Sequence, residues 1–208
     1  SSVITINLFK VEIKEILQEE TKEKVAFLNT YLESYLATPI SLVENTAENV
    51  EVTKDGALLH DQLKTKAESI EGILGLHVAF DGDPILYSSE KLTLEADYNS
   101  NTRDWYQEAK EHAGQVVVTD PYVDAITGKL IVGVSKAMKN GQGVVTLDLD
   151  LAFLAELTAS IKIGNSGYAF IFDNNGNVLY HPNFEQNKSM VDIPFYEDFM
   201  ANDYLETE

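Results

Sequence analysis

Between Tyr98 and Asp124 the chain reads YNSNTRDWYQEAKEHAGQVVVTDPYVD, and several of these residues could hold a small charged molecule. Arg103 carries a planar fork of donors that matches a carboxylate in bidentate fashion. Trp105, two positions on, adds an indole N–H and a broad apolar face, and Tyr98 brings a phenol. Tyr122 and Asp124 are two apart in a segment that Pro121 holds extended, so their side chains share a face. An ammonium group needs such acceptors: a carboxylate with aromatic oxygens or ring faces beside it. Further on, Asp148 ends the apolar run Val144-Val145-Thr146-Leu147, where an acid is costly unless something cationic meets it. One end of this constellation asks for an anion and the other for a cation. A free amino acid is the simplest molecule that carries both.

Each of these residues has a plainer use. Arg103 could pair with Asp104 or Glu108. Asp150 is read as a cap for the helix that follows it, whereas Asp148 is assigned to the ligand. Arg103 is expected in the first turn of a helix over Thr102 to His112, capped by Asn101 or Thr102, where exposed N–H groups favour anions. Tyr106, on the same helix, is an aromatic that could pack beside the site without touching a ligand.

Composition narrows the classes. The 208 residues are 44% hydrophobic, so a packed core is within reach. Asp and Glu outnumber Lys and Arg by 34 to 15, a net charge of −19 that repels nucleic acid and anionic membrane surfaces. Without cysteine there is no disulfide, thiolate nucleophile or Cys-ligated zinc. His60, His77, His112 and His181 show no paired spacing, so no metal and no cofactor is expected. No nucleophile elbow, P-loop or dinucleotide fingerprint is present, and no apolar run reaches the roughly 18 residues of a membrane span. Helical pattern begins almost directly after Ser1-Ser2, and the chain reads as a soluble piece of a longer protein.

The elements that must position these residues follow from periodicity. Apolar residues at three-to-four spacing predict one long helix from about Val3 to Glu51, kinked at Pro39, with two helices joined at Thr38-Pro39 as the alternative. A second helix is expected over Ala57 to Ser69. Ile73 to Phe80 and Ile85 to Ser88 form a hairpin about Asp81-Gly82-Asp83-Pro84. Gln115 to Val118 is a short strand. Leu130 to Met138 and Gly143 to Leu149 form a second hairpin about Asn140-Gly141, followed by a helix over Leu151 to Ser160. The pattern then begins again. HVAF-DGDP-ILYS and AFIF-DNNGN-VLYH are both an apolar strand, an acidic turn and a return strand.

The order Tyr98, Arg103-x-Trp105-Tyr106, Pro121-Tyr122-x-Asp124 and an Asp at the end of a strand resembles the double Cache family of extracytoplasmic sensor domains, found in bacterial methyl-accepting chemotaxis proteins and in some sensor kinases. The segment Ile163-Gly164-Asn165-Ser166-Gly167-Tyr168-Ala169-Phe170 is similar to the start of the family's membrane-proximal module. The resemblance implies an α+β fold: a long N-terminal helix followed by two PAS-like Cache modules with antiparallel sheets, the second incomplete. The expected division is 1–56 for the helix, 57–160 for a membrane-distal, ligand-binding module and 161–208 for part of the proximal module. It implies that Arg103 and Trp105, with Tyr98, hold a ligand carboxylate, and that Tyr122, Asp124 and Asp148 hold its ammonium. An amino acid or amino sulfonate is the expected ligand, and a non-enzymatic periplasmic domain of an inner-membrane chemoreceptor, homodimeric at full length, is the expected setting. The same fold on a histidine kinase or a cyclic-dinucleotide enzyme, a sensor for organic carboxylates, and an acid-pair hydrolase are the alternatives.

Overall fold

The computed structural model describes residues 10–13, 19–49, 55–70, 72–124, 126–163, 167–172, 177–183 and 189. They fall into two compact units: Tyr35–Asp150, and Ser1–Ser34 together with Leu151–Glu208.

The first unit is built on a six-stranded antiparallel sheet. Its strands are β2 (Ile73–Phe80), β3 (Leu86–Ser88), β4 (Val116–Val118), β5 (Tyr122–Val123), β6 (Leu130–Ala137) and β7 (Gly143–Asp150), in the order β3-β2-β7-β6-β4 with β5 also on β6. Both expected hairpins form close to their expected bounds. Gly82 and Gly141 sit at their tips with φ of 71° and 72°, conformations that favour glycine.

Cross-strand pairs divide the sheet into two chemically different faces. Val78 lies opposite Val145, and Leu147 lies between Leu76 and Val134. All five are fully buried. Lys136 alternates with Val134 onto this apolar face, and its Nζ lies 3.6 Å from Glu44 and 3.9 Å from Glu48. Those pairs place the C-terminal part of α1 (Glu19–Asn49) on this side. The opposite face carries His77 against Thr146, Ala79 against Val144, and Asp148 between Gly75 and Gly133.

Helix α1 runs through Pro39 as one element. Leu36, Val43 and Ala47 are buried on it at helical spacing. It does not reach back to Val3 as the periodicity predicts: Lys10–Ile13 is a strand, β1, paired with Phe172–Ala169. The four residues alternate polar and apolar, which suits a strand as well as one turn of helix, and a sheet edge decides between them. Helix α2 (Gly56–Ala67) starts on an Asp55 cap whose Oδ1 accepts from the N–H groups of Ala57 and Leu58 at 3.1 and 3.2 Å. It buries Leu59, Leu63 and Ala67, four residues apart.

Helix α3 (Asp104–Glu111) is shorter than predicted, and a 3₁₀ turn over Ser100–Thr102 precedes it. Asn101 is not its cap. Its side chain braces the β2–β3 turn instead, accepting from Gly82 N–H at 2.8 Å and donating to the carbonyls of Phe80 and Asp83. The helix is fastened to both hairpin tips. Tyr106 donates its hydroxyl to Asp81, and Lys110 Nζ reaches Asp81 Oδ2 at 2.8 Å and the Gly141 carbonyl at 2.9 Å. Burial alone would raise the Asp81 carboxyl, but the hydrogen bonds from Lys110 and Tyr106 hold it below its ordinary value.

In the second unit β9 (Gly167–Phe172) pairs with β1, with β8 (Lys162–Ile163) and with β10 (Val178–Tyr180), beside α4 (Ala152–Ser160). The β9–β10 hairpin repeats the β2–β3 hairpin as the sequence pattern suggests. Its turn from Asp173 to Gly176 lies outside the described residues. Asp150 closes β7 with its carboxylate accepting from Lys129 Nζ at 2.8 Å, and the N-cap position of α4 is Leu151. Among the described residues no helix is long and apolar enough to cross a membrane.

Two outcomes test this packing. A Cβ at Gly143 would lie 2.2 Å from the Ala79 carbonyl oxygen in the next strand, so Gly143→Ala should lower stability by about 1–3 kcal/mol in urea unfolding. A carboxyl held below its unfolded value stabilises above that value, and the contribution is lost as pH falls through the folded one. Asp81→Asn should therefore melt below the parent at neutral pH, and the gap should close below about pH 4.

Candidate ligand-binding site

Asp148 is the residue around which the site is built. It points to the same side of β7 as Thr146, with Gly75 beside it on β2 and Gly133 beside it on β6. Glycine inside a strand often marks a place where another group comes close, and here each glycine clears one. A Cβ at Gly75 would lie 2.6 Å from the His77 ring, and one at Gly133 would lie 3.3 Å from the Tyr122 hydroxyl. Both cleared groups reach the acid. His77 Nε2 lies 3.1 Å from Asp148 Oδ2, and Tyr122 donates to Oδ1 at 3.4 Å. A polar partner for the buried acid is thus present in the protein, as a histidine.

Asp124 is buried in the segment after β5 and shapes its own turn. Its Oδ1 accepts from Ile126 N–H at 3.2 Å, and its Oδ2 accepts from the N–H and hydroxyl of Thr127 at 2.7 and 2.6 Å. Much of its acceptor capacity holds the loop, and the turn brings Ile126 to the cavity wall.

Arg103 stands at the N-cap position of α3, with extended φ and ψ of −81° and 147°, one residue ahead of the first turn in which it was expected. Its guanidinium lies over the Tyr98 ring, 5.7 Å from the centroid. Among the described residues it makes no ion pair, so pairing with Asp104 or Glu108 is not what holds it. Trp105 and Tyr106 are both buried, with rings edge to face at 5.6 Å. Adjacent helical positions diverge by about 100°. Trp105 and Tyr106 both pack in a core cluster with Ala79, Ala109 and Val144, but only Trp105 also lines the cavity, and Tyr106 is not part of the lining.

Tyr98, Arg103, Trp105, Tyr122, Asp124 and Asp148 come together around one small cavity, part of it open to solvent. His77, Leu86, Ile126 and Thr146 complete the lining and were not singled out in the sequence. Thr146 and His77 could have been found from period two: Thr146 lies two before Asp148, and His77 two after the strand glycine Gly75. Leu86 and Ile126 carry no comparable signal.

The electrostatics follow the geometry. Burial pushes the Tyr122 hydroxyl well above its ordinary value, and the negative charges of Asp148 and Asp124 add to the shift, so it stays a neutral donor. Burial also raises Tyr98, against the opposing pull of Arg103. The site sets a guanidinium that makes no ion pair among the described residues together with two buried carboxylates and the rings of Tyr98, Trp105 and Tyr122. Among the described residues no cluster of His, Asp and Glu could hold a metal ion.

Comparisons with known proteins point the same way. A family profile described as Cache domain matches residues 6–206. Methyl-accepting chemotaxis protein TlpB of Bacillus subtilis is 31% identical over 170 residues, covering 80% of this chain and 26% of TlpB. PctB of Pseudomonas aeruginosa, also a methyl-accepting chemotaxis protein, is 30% identical over 195 residues, 90% of this chain and 30% of PctB. The chain thus spans about a quarter to a third of the length of these relatives. Among solved structures, the ligand-binding domain of PctB in complex with L-Gln superposes with a TM-score of 0.70 at 26% identity, over 85% of this chain and 74% of that one. The ligand-binding domain of Mlp24 with asparagine gives 0.69 at 25% identity, over 92% and 78%. Helix, paired antiparallel units and matched profile together settle the family: this chain belongs to the Cache domain family.

Proposed function

We propose that this chain is the extracytoplasmic sensor region of a chemoreceptor and that unit Tyr35–Asp150 is its ligand-binding module. The ligand is a small zwitterion, an amino acid or an amino sulfonate. Arg103 receives its acidic group, with Trp105 and Tyr98 alongside, and Asp124, Asp148 and Tyr122 face its ammonium. The observation that carries the reading is the unpaired Arg103 guanidinium sharing one cavity with two buried carboxylates. The likeness to ligand-binding domains solved with L-Gln, in a chemoreceptor, and with asparagine supports it. Binding, not turnover, is the activity: the site presents charges that match a ligand's two ends and no nucleophile with a base beside it. Tyr106 acts at one remove by fastening α3. The full-length receptor is a membrane homodimer in this reading.

A plain carboxylate is a second reading, because His77 beside Asp148 and the turn around Asp124 satisfy part of the demand for a cation. A thermal-shift screen with the twenty amino acids, taurine and a set of organic acids separates the two. A ligand at about 100 Kd adds roughly 2.7 kcal/mol of stability. Shifts confined to compounds with both an amine and an acid support the zwitterion site. Shifts from amine-free acids alone would overturn the ammonium role of Asp124 and Asp148, and no shift at all would overturn the amino-acid reading. Arg103→Ala removes a charge-assisted pair and should weaken calorimetric affinity by about 1.5–3 kcal/mol. Lysine at that position keeps the charge but not the fork and should recover only part of it.

A further inference from the structure

We propose that the proton on His77 and the ammonium of a bound amino acid compete for Asp148, so that ligand binding releases a proton from His77. This rests on the amino-acid reading of the same cavity.

The geometry provides for the competition. His77 and Asp148 are both buried, 3.1 Å apart, on neighbouring strands of one sheet face. Gly75 leaves the space into which the imidazole lies. Among the described residues His77 is the one basic side chain within ion-pair distance of Asp148. With no amine in the cavity, the acid favours a charged imidazolium. An ammonium seated at Asp148 places a second cation beside that ring, where little water screens the repulsion. The ammonium keeps its proton most strongly, whereas an imidazole is the side chain that gives one up near neutral pH.

The other ring nitrogen leaves the charged form dependent on Asp148 alone. An imidazolium has two N–H donors, and His77 Nδ1 is buried without a hydrogen-bond partner among the described residues. Neutral His77 with its hydrogen on Nε2 keeps the contact with Asp148 and leaves no donor stranded. The exchange is balanced: the ammonium replaces the imidazolium's charge at Asp148, and one proton passes to solvent.

The groups around His77 fit this account. Asp124 adds a second negative charge to the cavity, and Arg103 a positive one. Tyr122 stays neutral, as its raised hydroxyl shows. Tyr98, also raised, stays neutral too. On the β3 side Ser88 lies opposite His77, and its carbonyl meets Nδ1 of His60 from α2 at 2.9 Å.

The test is calorimetric titration of the domain, from about pH 5 to 8, with each L-amino acid that shifts its melting, in paired buffers of different ionisation enthalpy. Proton release should approach one per amino acid bound in the acid range, where affinity should fall by about tenfold per pH unit. His77→Gln should abolish both effects: whatever affinity the variant keeps should not vary from about pH 5 to 8, and no buffer-dependent heat should remain. Should that variant not fold, NMR of the parent's His77 ring decides: its signals should move from the charged to the neutral form on adding the amino acid at acid pH. Binding with no proton release, release that survives His77→Gln, or a ring that stays charged in the complex would overturn the proposal and leave the amino-acid reading intact. If no amino acid shifts melting or binds at any pH, the reading itself fails and this inference falls with it.

Discussion

A carboxylate set into the buried face of a β-sheet dictates how the rest of this domain is arranged. Asp148 is 8% exposed on a strand whose other residues are almost all fully buried. An acid in that position is expensive unless it is paired and hydrogen-bonded. The two flanking strands meet the demand by omission. Gly75 and Gly133 have no side chain, and the room they leave is taken by His77 and Tyr122. Glycine weakens a strand, so the cavity face gives up local strand stability to hold a charge. The opposite face carries mostly valine and leucine, and its one lysine, Lys136 opposite Val145, is met by Glu44 and Glu48 of α1.

The remaining cavity walls depend on loops, each held by its own polar fastening. Asn101 braces the β2–β3 turn, Asp124 organises its own turn, and Asp81 receives Tyr106 and Lys110 from α3. Arg103 and Trp105 are presented by a helix of only eight residues, too short to hold its place by helix propensity alone. Its attachment to two hairpin tips through Tyr106 and Lys110 fixes where the helix starts, and among the described residues Arg103 at that start makes no ion pair. A guanidinium already paired to a neighbour would have to give up that partner before accepting a ligand.

The relatives share the fold along nearly the whole chain, yet this chain covers only about a quarter to a third of their length. The strongly acidic composition, −19 overall, does not conflict with the proposed carboxylate role of Arg103, because its surroundings are set by buried neighbours and not by the distant surface, whose charges salt screens beyond about 8–10 Å.

Much of this was legible in the sequence, where the signal is local. Strand alternation and the Gly82 and Gly141 turns located both hairpins, and residue type and order picked out Arg103, Trp105, Tyr122, Asp124 and Asp148. These depend on backbone sterics and side-chain chemistry, which a short stretch of chain carries by itself. Three things did not. Lys10–Ile13 became a strand because an edge of β9 was open to it. Arg103 moved to the N-cap position because Asn101 was drawn to the β2–β3 turn. His77 became the partner of Asp148 because cross-strand register set it beside that acid, 71 residues away in sequence. Sequence alone determined which groups were available and which way they alternate. Tertiary structure decided which of them meet, because a buried charge is satisfied by whatever the fold brings within hydrogen-bonding distance.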